Sequence, residues 1–370
     1  MHIRFCLFLN LLALGAGCGR QGGSSGSGPV CSLRACDSIG MEIGDENLLF
    51  GNISDACYLQ DGRIAVVDRV FNDVRVFTGT GDFITRIAAT GSGPREFLSP
   101  LFVSPRGSGL MLCSIMGMKE IYYDSSFNCL GEVQFTDPNI RPGCPVRIQA
   151  VDDSLYIGDT FFITVQKSGD YEGGTELSLW DGTERIRTYR TRTAEEFNQL
   201  TFQVDARIHS CFDTVTGRLY WADAASDEYS VNCVDVYADS GWIFVDREWE
   251  PVPKPDSVIQ GEREMYIRSW NEGTGHDPDF DFTVNAFYNA IEGIGVDSLG
   301  RVWIRTGLER SSEFHVYEPD GTFLFECVFE TPAFQDCDMW DVLVCRQGFL
   351  AFPRNPELFP KVYMLEMISE

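Results

Sequence analysis

The sequence predicts an all-β fold assembled from one repeated four-stranded unit, and three observations predict it. An apolar strand, a Gly-containing turn and a second apolar strand recur along the chain, each time followed by a polar loop and further strands. The composition suits strands and tight turns: 36 of the 370 residues are glycine and 13% are aromatic. Only Ser257 to Trp270 reads as a convincing helix, with Glu262, Glu264 and Arg268 on a polar side.

The clearest unit runs from Ile53 to Ala89. Ala56-Cys57-Tyr58-Leu59 leads through the turn Gln60-Asp61-Gly62-Arg63 into Ile64-Ala65-Val66-Val67-Asp68. Val74-Arg75-Val76-Phe77, a turn between Gly79 and Gly81, and Phe83-Ile84-Thr85-Arg86-Ile87 complete four strands joined by hairpins. A second good copy begins at Ile294-Gly295-Val296-Asp297, turns at Gly300 and again at Pro319-Asp320-Gly321, and ends at Phe323-Leu324-Phe325-Glu326.

Weaker copies align on the first hairpin turn. Taking Gly62, Gly107, Asp153, Gly217, Gly300 and Gly348 as markers gives spacings of 45, 46, 64, 83 and 48 residues. A four-stranded unit near 45 residues has the length and content of a propeller blade. Six turns therefore imply a six-bladed β-propeller of four-stranded antiparallel blades. The helix at 257–270 is a short helical insertion that accounts for part of the longest gap. Gly40 to Phe50 is expected to supply the strand that closes the ring with the last blade. Closure is favoured because a lone blade exposes both faces, whereas a ring buries each blade against its neighbours.

Before this domain stands a leader. Met1-His2-Ile3-Arg4 is followed by an apolar run from Phe5 to Ala16, broken by Asn10 and Gly15. That run is well short of the roughly 20 residues that span a bilayer, and it reads as a signal peptide. Leu14-Gly15-Ala16-Gly17-Cys18 resembles the bacterial lipobox, with Gly15 standing where leucine is usual. The resemblance implies cleavage before Cys18 and a diacylglycerol on its sulfur. Gly19 to Pro29 is a Gly/Ser-rich flexible tether. The expected organisation is a signal peptide at 1–17, a lipidated Cys18 with its tether over 18–38, and the propeller over 39–370. The expected address is the bacterial cell envelope, lipid-anchored in the outer or inner membrane, with the domain in the periplasm or at the cell surface.

A formal net charge of −26 excludes nucleic acid as the expected partner, because phosphate binding needs clustered Lys and Arg. Of 13 cysteines, setting aside Cys6 and Cys18 leaves eleven, which cannot all pair within one chain. By proximity in sequence, Cys31 with Cys36 and Cys327 with Cys337 are the nearest candidate disulfides. Cys57, Cys113, Cys211 and Cys345 lie in apolar runs and read as small buried residues.

One segment adds a family resemblance. Gly91-Ser92-Gly93-Pro94-Arg95-Glu96-Phe97 resembles the G-x-G-P-G-E-F loop of the six-bladed, NHL-like propeller lipoproteins of bacterial envelopes, with Arg95 in place of the usual Gly. The likeness of layout covers about residues 40–368. Physically, the loop reads as an inter-blade turn with Phe97 as a packing plug.

Catalytic constellations are sparse. Outside the Gly/Ser-rich tether there is no G-x-S-x-G that could form a nucleophile elbow, and the chain has no Walker-type loop and no C-x-x-C. Of His209, His276 and His315, only His209 falls on an expected innermost strand. Asp277, Asp279 and Asp281 alternate, and in a strand they would share one face as weak calcium ligands. Around the axis, the innermost strands are expected to present Asp55, Arg147, Arg207, His209, Asn289 and Asp341 as a ligand-binding funnel of mixed charge. Inward arginines suit an anionic ligand. The reading is a non-catalytic scaffold for a protein, peptide or glycan, with no obligatory cofactor. The alternative is a metal-dependent, lactonase-like hydrolase or lyase acting in the same funnel.

Overall fold

The structure, a computed structural model, describes residues 31–369 apart from 89, 115–117, 136–144, 169, 195–200, 308–312, 333–339 and 355–358. The leader, Cys18 and Cys337 lie outside the described residues. No helix among the described residues is long and apolar enough to cross a membrane.

The chain first lays down β1 (Cys31–Ile39) and then builds blades in order. Blade one is β2 (Ile53–Tyr58), β3 (Ile64–Asp68), β4 (Asp73–Phe77) and β5 (Phe83–Ala88). Blade two is β6 (Pro100–Arg106), β7 (Gly109–Ser114), β8 (Lys119–Tyr123) and β9 (Cys129–Gln134). Blade three is β10 (Val146–Ala150), β11 (Leu155–Val165), β12 (Tyr171–Asp181) and β13 (Glu184–Thr193). A short helix, α1 (Phe202–Asp205), precedes blade four, which is β14 (Ile208–Asp213), β15 (Arg218–Asp223), β16 (Tyr229–Asp235) and β17 (Ser240–Arg247). The insertion α2 (Asp256–Thr274) precedes blade five: β18 (Ile291–Val296), β19 (Val302–Thr306), β20 (Glu313–Tyr317) and β21 (Phe323–Phe329). Blade six takes β22 (Trp340–Cys345), β23 (Gly348–Pro353) and β24 (Val362–Ser369) from the C-terminal end of the chain, and β1 from far upstream.

All six marker turns fall at the hairpin between a blade's first two strands. Gly62 and Gly300 show why the marker is glycine: both sit at positive φ, +86° and +83°, where a side chain is strained. At the second of these turns, Asp297 accepts from the backbone of Leu299 and Arg301 and fixes the reversal.

Ring closure corrects two expectations. The closing strand is Cys31–Ile39, not Gly40–Phe50, so the propeller begins inside the segment assigned to the tether over 18–38. β1 runs antiparallel to β24 along its whole length and also pairs in parallel with β21 over Cys31–Leu33. Residues 40–50 instead hold a 3-10 turn at Glu46–Leu48, whose carbonyls face a guanidinium rather than a neighbouring strand. The cysteine pairing differs as well. Cys31 bonds Cys327, its register partner in the parallel pair, and Cys36 is a free thiol.

Hydrophobic burial follows the ring. Six apolar cores lie between successive blades, including the one between blades six and one. Middle strands such as β3, β4 and β7 are buried throughout, because both faces meet another blade; the outer β5 and β9 are buried only in part. A seventh, smaller core packs Met265 and Tyr266 of α2 on Phe282 and Val204. The helix is longer than expected, and Glu262 is buried and ion-paired to Lys254 at 2.8 Å rather than lying on a polar side.

The loop at 91–97 is the packing device expected of it. Phe97 is fully buried between blades one and two, and Glu96 folds back to accept from the Gly93 amide at 2.9 Å. Arg95 keeps the left-handed backbone that glycine would adopt, at φ +64°, and its amide donates to Glu132 at 2.7 Å. The substitution therefore leaves the turn in place.

Candidate functional site

The first strands of the six blades all line one axial cavity of about 430 Å3. That size is ordinary for a small-ligand site. The mouth of the cavity lies where these strands begin, and there the chain places its charge.

Bulges aim the charged side chains. The ladder shifts register between Ile53 and Asp55 in β2, between Val146 and Gln149 in β10, and between Ile291 and Gly293 in β18. Bulges re-aim side chains locally and concentrate beside functional sites. At Arg147 the backbone itself is strained, with φ at +50°. A non-glycine residue in that region costs on the order of 1 kcal/mol or more, and the neighbouring strands hold it there.

At the mouth stand Asp55, Arg147, Asp341, Arg354 and Arg69. The Asp55 carboxylate accepts from the amides of Ala56 and, across the blade boundary, Val103, both at 2.9 Å. Burial pushes its carboxyl up to about 7; the two amides and Arg147 favour the charged form, while Asp341 opposes it. Asp341 is gripped by Arg354 through two hydrogen bonds, one of 2.6 Å from Nε. Burial disfavours its charge too, yet Arg354, with Arg305 and Arg147, holds it below the usual carboxylate range. Arg147 reaches Asp159 of β11 at 3.7 Å. Burial drives Asp159 up to about 7 despite Arg147 and Arg207. Arg69 carries no ion pair among the described residues, and burial alone lowers its pKa.

Blades four and five supply a second layer beneath α2. Arg207 is 6% exposed, and burial followed by repulsion from Arg147 brings its pKa down to about 9. Its Nε and one Nη have no partner among the described residues. His209 is buried and neutral, its pKa driven down to about 3 mainly by desolvation. Asn289 precedes β18 and donates to Glu292 at 2.7 Å. Burial works against charge on Glu292, yet Arg207, the Asn289 hydrogen bond and Arg305 hold it below the usual range.

Of the six funnel residues expected from the sequence, Asp55, Arg147 and Asp341 line the cavity, whereas Arg207, His209 and Asn289 are behind its lining. Arg207 and His209 lie within electrostatic reach of Arg147, and Asn289 is tied to Glu292. Sequence reasoning missed Arg69, Asp159, Glu292, Arg305 and Arg354. All but Glu292 lie on or just after a blade's second strand, whose far end returns to the mouth. Counting register from the hairpin turns would have found Asp159, which pairs with Val146, and Arg305, which pairs with Gly293.

The opposite end of the cavity is nearly neutral. Cys57, Cys211 and Cys345 face it, and burial pushes the last two up to about 12 and about 11, so they stay protonated and unreactive. Arg346 of blade six crosses to Asp213 of blade four through two bonds of 2.7 Å and ties the floor together.

The residues fit calcium poorly. Asp277, Asp279 and Asp281 are exposed on a loop after α2 rather than on one face of a strand, and they do not converge. At the mouth, carboxylate oxygens come with arginines beside them, whereas calcium takes six to eight oxygens. Among the described residues the one convergent trio is Glu313, His315 and Glu326, on β20 and β21 away from the cavity. There His315 Nδ1 already meets the Tyr229 hydroxyl at 2.7 Å and Arg247 at 3.3 Å.

Over residues 32–162 the sequence matches the model of a family described as 6-bladed beta-propeller. The fold is a six-bladed β-propeller. A comparison with curated proteins finds no match. Among solved structures, the propeller is similar to a Bacteroides fragilis protein named provisionally as exported. They share 12% identity over 92% of this chain and 96% of that one, at a TM-score of 0.52. It is equally similar in sequence to a Bacteroides vulgatus member of a family of unassigned function. That likeness has 12% identity and a TM-score of 0.50, over 92% of this chain and 99% of the other. At such identity the likeness speaks for the fold alone.

Proposed function

We propose that this propeller is a lipid-anchored envelope protein that holds a ligand in its axial cavity without transforming it. The observation that carries the reading is the cavity itself: all six blades contribute their first strands, and its mouth is polar while its walls are largely apolar. Rigid walls with a few fixed polar groups are the ordinary build of a binding site. The carboxylates that a hydrolytic metal would need are instead engaged, Asp341 by Arg354 and Asp55 by backbone amides. The ligand is a protein segment, peptide or glycan small enough at its recognised end to enter the mouth.

The address has separate support. The leader and Cys18 follow the lipoprotein pattern, and the Cys31–Cys327 disulfide suits an oxidising compartment. A structural neighbour is described, provisionally, as exported. With β1 starting at Cys31, the tether is the short stretch from Gly19 to Val30.

Two measurements test this. Cys18→Ala is expected to move the protein from the membrane fraction to the soluble fraction of lysed cells; unchanged membrane association would overturn the anchor. Elemental mass spectrometry of the dialysed protein is expected to find no stoichiometric metal. One equivalent of calcium or a transition metal would transfer the reading to a metal-dependent enzyme.

A further inference from the structure

From the arrangement at the cavity mouth, the geometry points to a carboxylate as the group recognised there, seated at Arg147 with Arg69 as a second cation lining the same cavity and the apolar body of its ligand directed down the channel. This inference rests on the axial cavity being the binding site.

The first support is the charge balance. In a chain of net charge −26, the mouth and the layer behind it hold five arginines: Arg69, Arg147, Arg207, Arg305 and Arg354. Facing them are four carboxyl groups, of which Glu292 and Asp341 are held ionised while Asp55 and Asp159 resist ionisation. The site therefore carries an excess of positive charge inside an acidic protein. An anion that enters relieves repulsion among Arg147, Arg207 and Arg354.

The second support is unused donor capacity. Arg354 is committed to Asp341, but Arg147 has only a 3.7 Å contact with Asp159, and Arg69 has no acidic partner among the described residues. Arg207 stands behind the wall and adds positive charge rather than a contact. A planar carboxylate can take two donors at once from a guanidinium that does face the cavity, as Arg147 does. The strained backbone at Arg147 independently marks this side chain as placed rather than incidental.

The third support sets the body of the ligand. Below the charged ring the walls are Leu101, Phe102, Ile148, Phe212, Ile294 and Leu343, relieved by Ser54, Gln149 and Ser210. An apolar body gains from that surface, whereas a polyhydroxylated one leaves most of its hydroxyls unmatched.

Protonation tunes the site. Asp55 faces Asp341 of β22, Arg147 of β10 and the amides of Ala56 and Val103; Asp159 faces Arg147 and Arg207. Both carboxyls are pushed up to about 7, so lowering the pH from 8 to 6 neutralises them and leaves the arginines in greater excess. Carboxylate affinity is expected to rise over that interval.

The test is saturation-transfer NMR on the full-length chain in detergent and low-chloride buffer, with benzoate, neutral benzamide and polar-bodied glucuronate as probes. Benzoate is expected to bind and to bind more tightly at pH 6 than at pH 8. Benzamide and glucuronate are each expected to be at least about tenfold weaker, as loss of a charged hydrogen-bond pair or of apolar burial implies. Arg147→Gln and Arg69→Gln should each weaken benzoate about tenfold or more. Arg69 lies in a loop, so its variant keeps the test sound if Arg147→Gln fails to fold. Absence of benzoate binding, equal binding of benzamide, or undiminished binding by Arg69→Gln would overturn the carboxylate site. Equal binding of glucuronate would overturn the apolar body. Binding of benzamide alone would do so while leaving the cavity as a binding site, which separates this inference from the reading it rests on.

Discussion

Replacing Cys31 and Cys327 together by serine is expected to lower stability by about 4–5 kcal/mol. The bond closes a loop of 296 residues between the first strand and blade five, and the loop-entropy contribution grows with length. It also anchors the place where the ring depends least on the continuous chain. β1 pairs with β21 over three residues only, and its remaining ladder is to β24. Without the disulfide, the outer strand of blade six is held by β24 and by the core around Leu33, Trp340 and Tyr363. Such a loss is a large fraction of the 5–15 kcal/mol typical of folded domains. The check is thermal unfolding with and without reductant: the wild type should fall by roughly 5–10 °C on reduction, and the double variant should already be there and not respond. Equal melting of wild type and variant under oxidising conditions would show that the bond adds nothing to closure.

Arg75→Ala is the second large expected loss, about 3–5 kcal/mol. Arg75 is almost fully buried in β4, against Asp73 at 3.3 Å and Asp68 at 3.8 Å. Its guanidinium also gathers the carbonyls of Glu46, Asn47 and Leu49 and lies over the Phe50 ring at 4.8 Å. Asp68 completes the device by accepting from the amides of Gly51, Asn52, Val70 and Phe71. Together the pair folds the connection from the closing strand into blade one. Truncating the arginine leaves Asp73 with Arg86 as its cation, leaves Asp68 to its backbone amides, and frees three carbonyls at once. Burial already raises the Asp73 carboxyl, countered by Arg75 and Arg86. With Arg75 gone the shift grows, so the folded state holds its proton above the unfolded value. A raised carboxyl destabilises as pH rises through its folded pKa, and the deficit should therefore be smaller at pH 5 than at pH 8. Urea unfolding of wild type and variant at both pH values measures this. A deficit that is equal at the two pH values, or larger at pH 5, would show that Asp73 is not the group left exposed to the loss. Arg75→Lys should recover only part of the stability, because an ammonium cannot reproduce the planar fork.

The blades were legible because their turns require particular residues. Asp61-Gly62 and Asp297 with Gly300 mark reversals that strands alone would not reveal, and the wholly apolar Ile64–Val67 between them can only be an interior strand. The closing strand was not legible. Cys31–Ile39 reads as polar and follows the Gly/Ser-rich tether without a break. Its conformation comes from the ladder that β24 offers, more than 300 residues away in sequence. The disulfide was misjudged for the same reason, since Cys31 and Cys327 become neighbours only once the ring closes. At the site, residues on the first strands were predictable from their distance to the hairpin turn. Arg354, Arg305 and Asp159 arrive from second strands, the last two through registers that bulges shift by a residue. Asp277, Asp279 and Asp281 failed as a cluster because their alternation lies on a loop and not on a strand.

The central claim is that the axial cavity, read by its arginines, is where this propeller binds. A crystal structure of the protein soaked in benzoate tests it most directly. The account predicts density inside the channel, with both carboxylate oxygens within hydrogen-bond distance of Arg147 or Arg69 and the ring against Phe102 and Ile148. Density confined to the outer faces of the blades, with the channel filled by water alone, would contradict it.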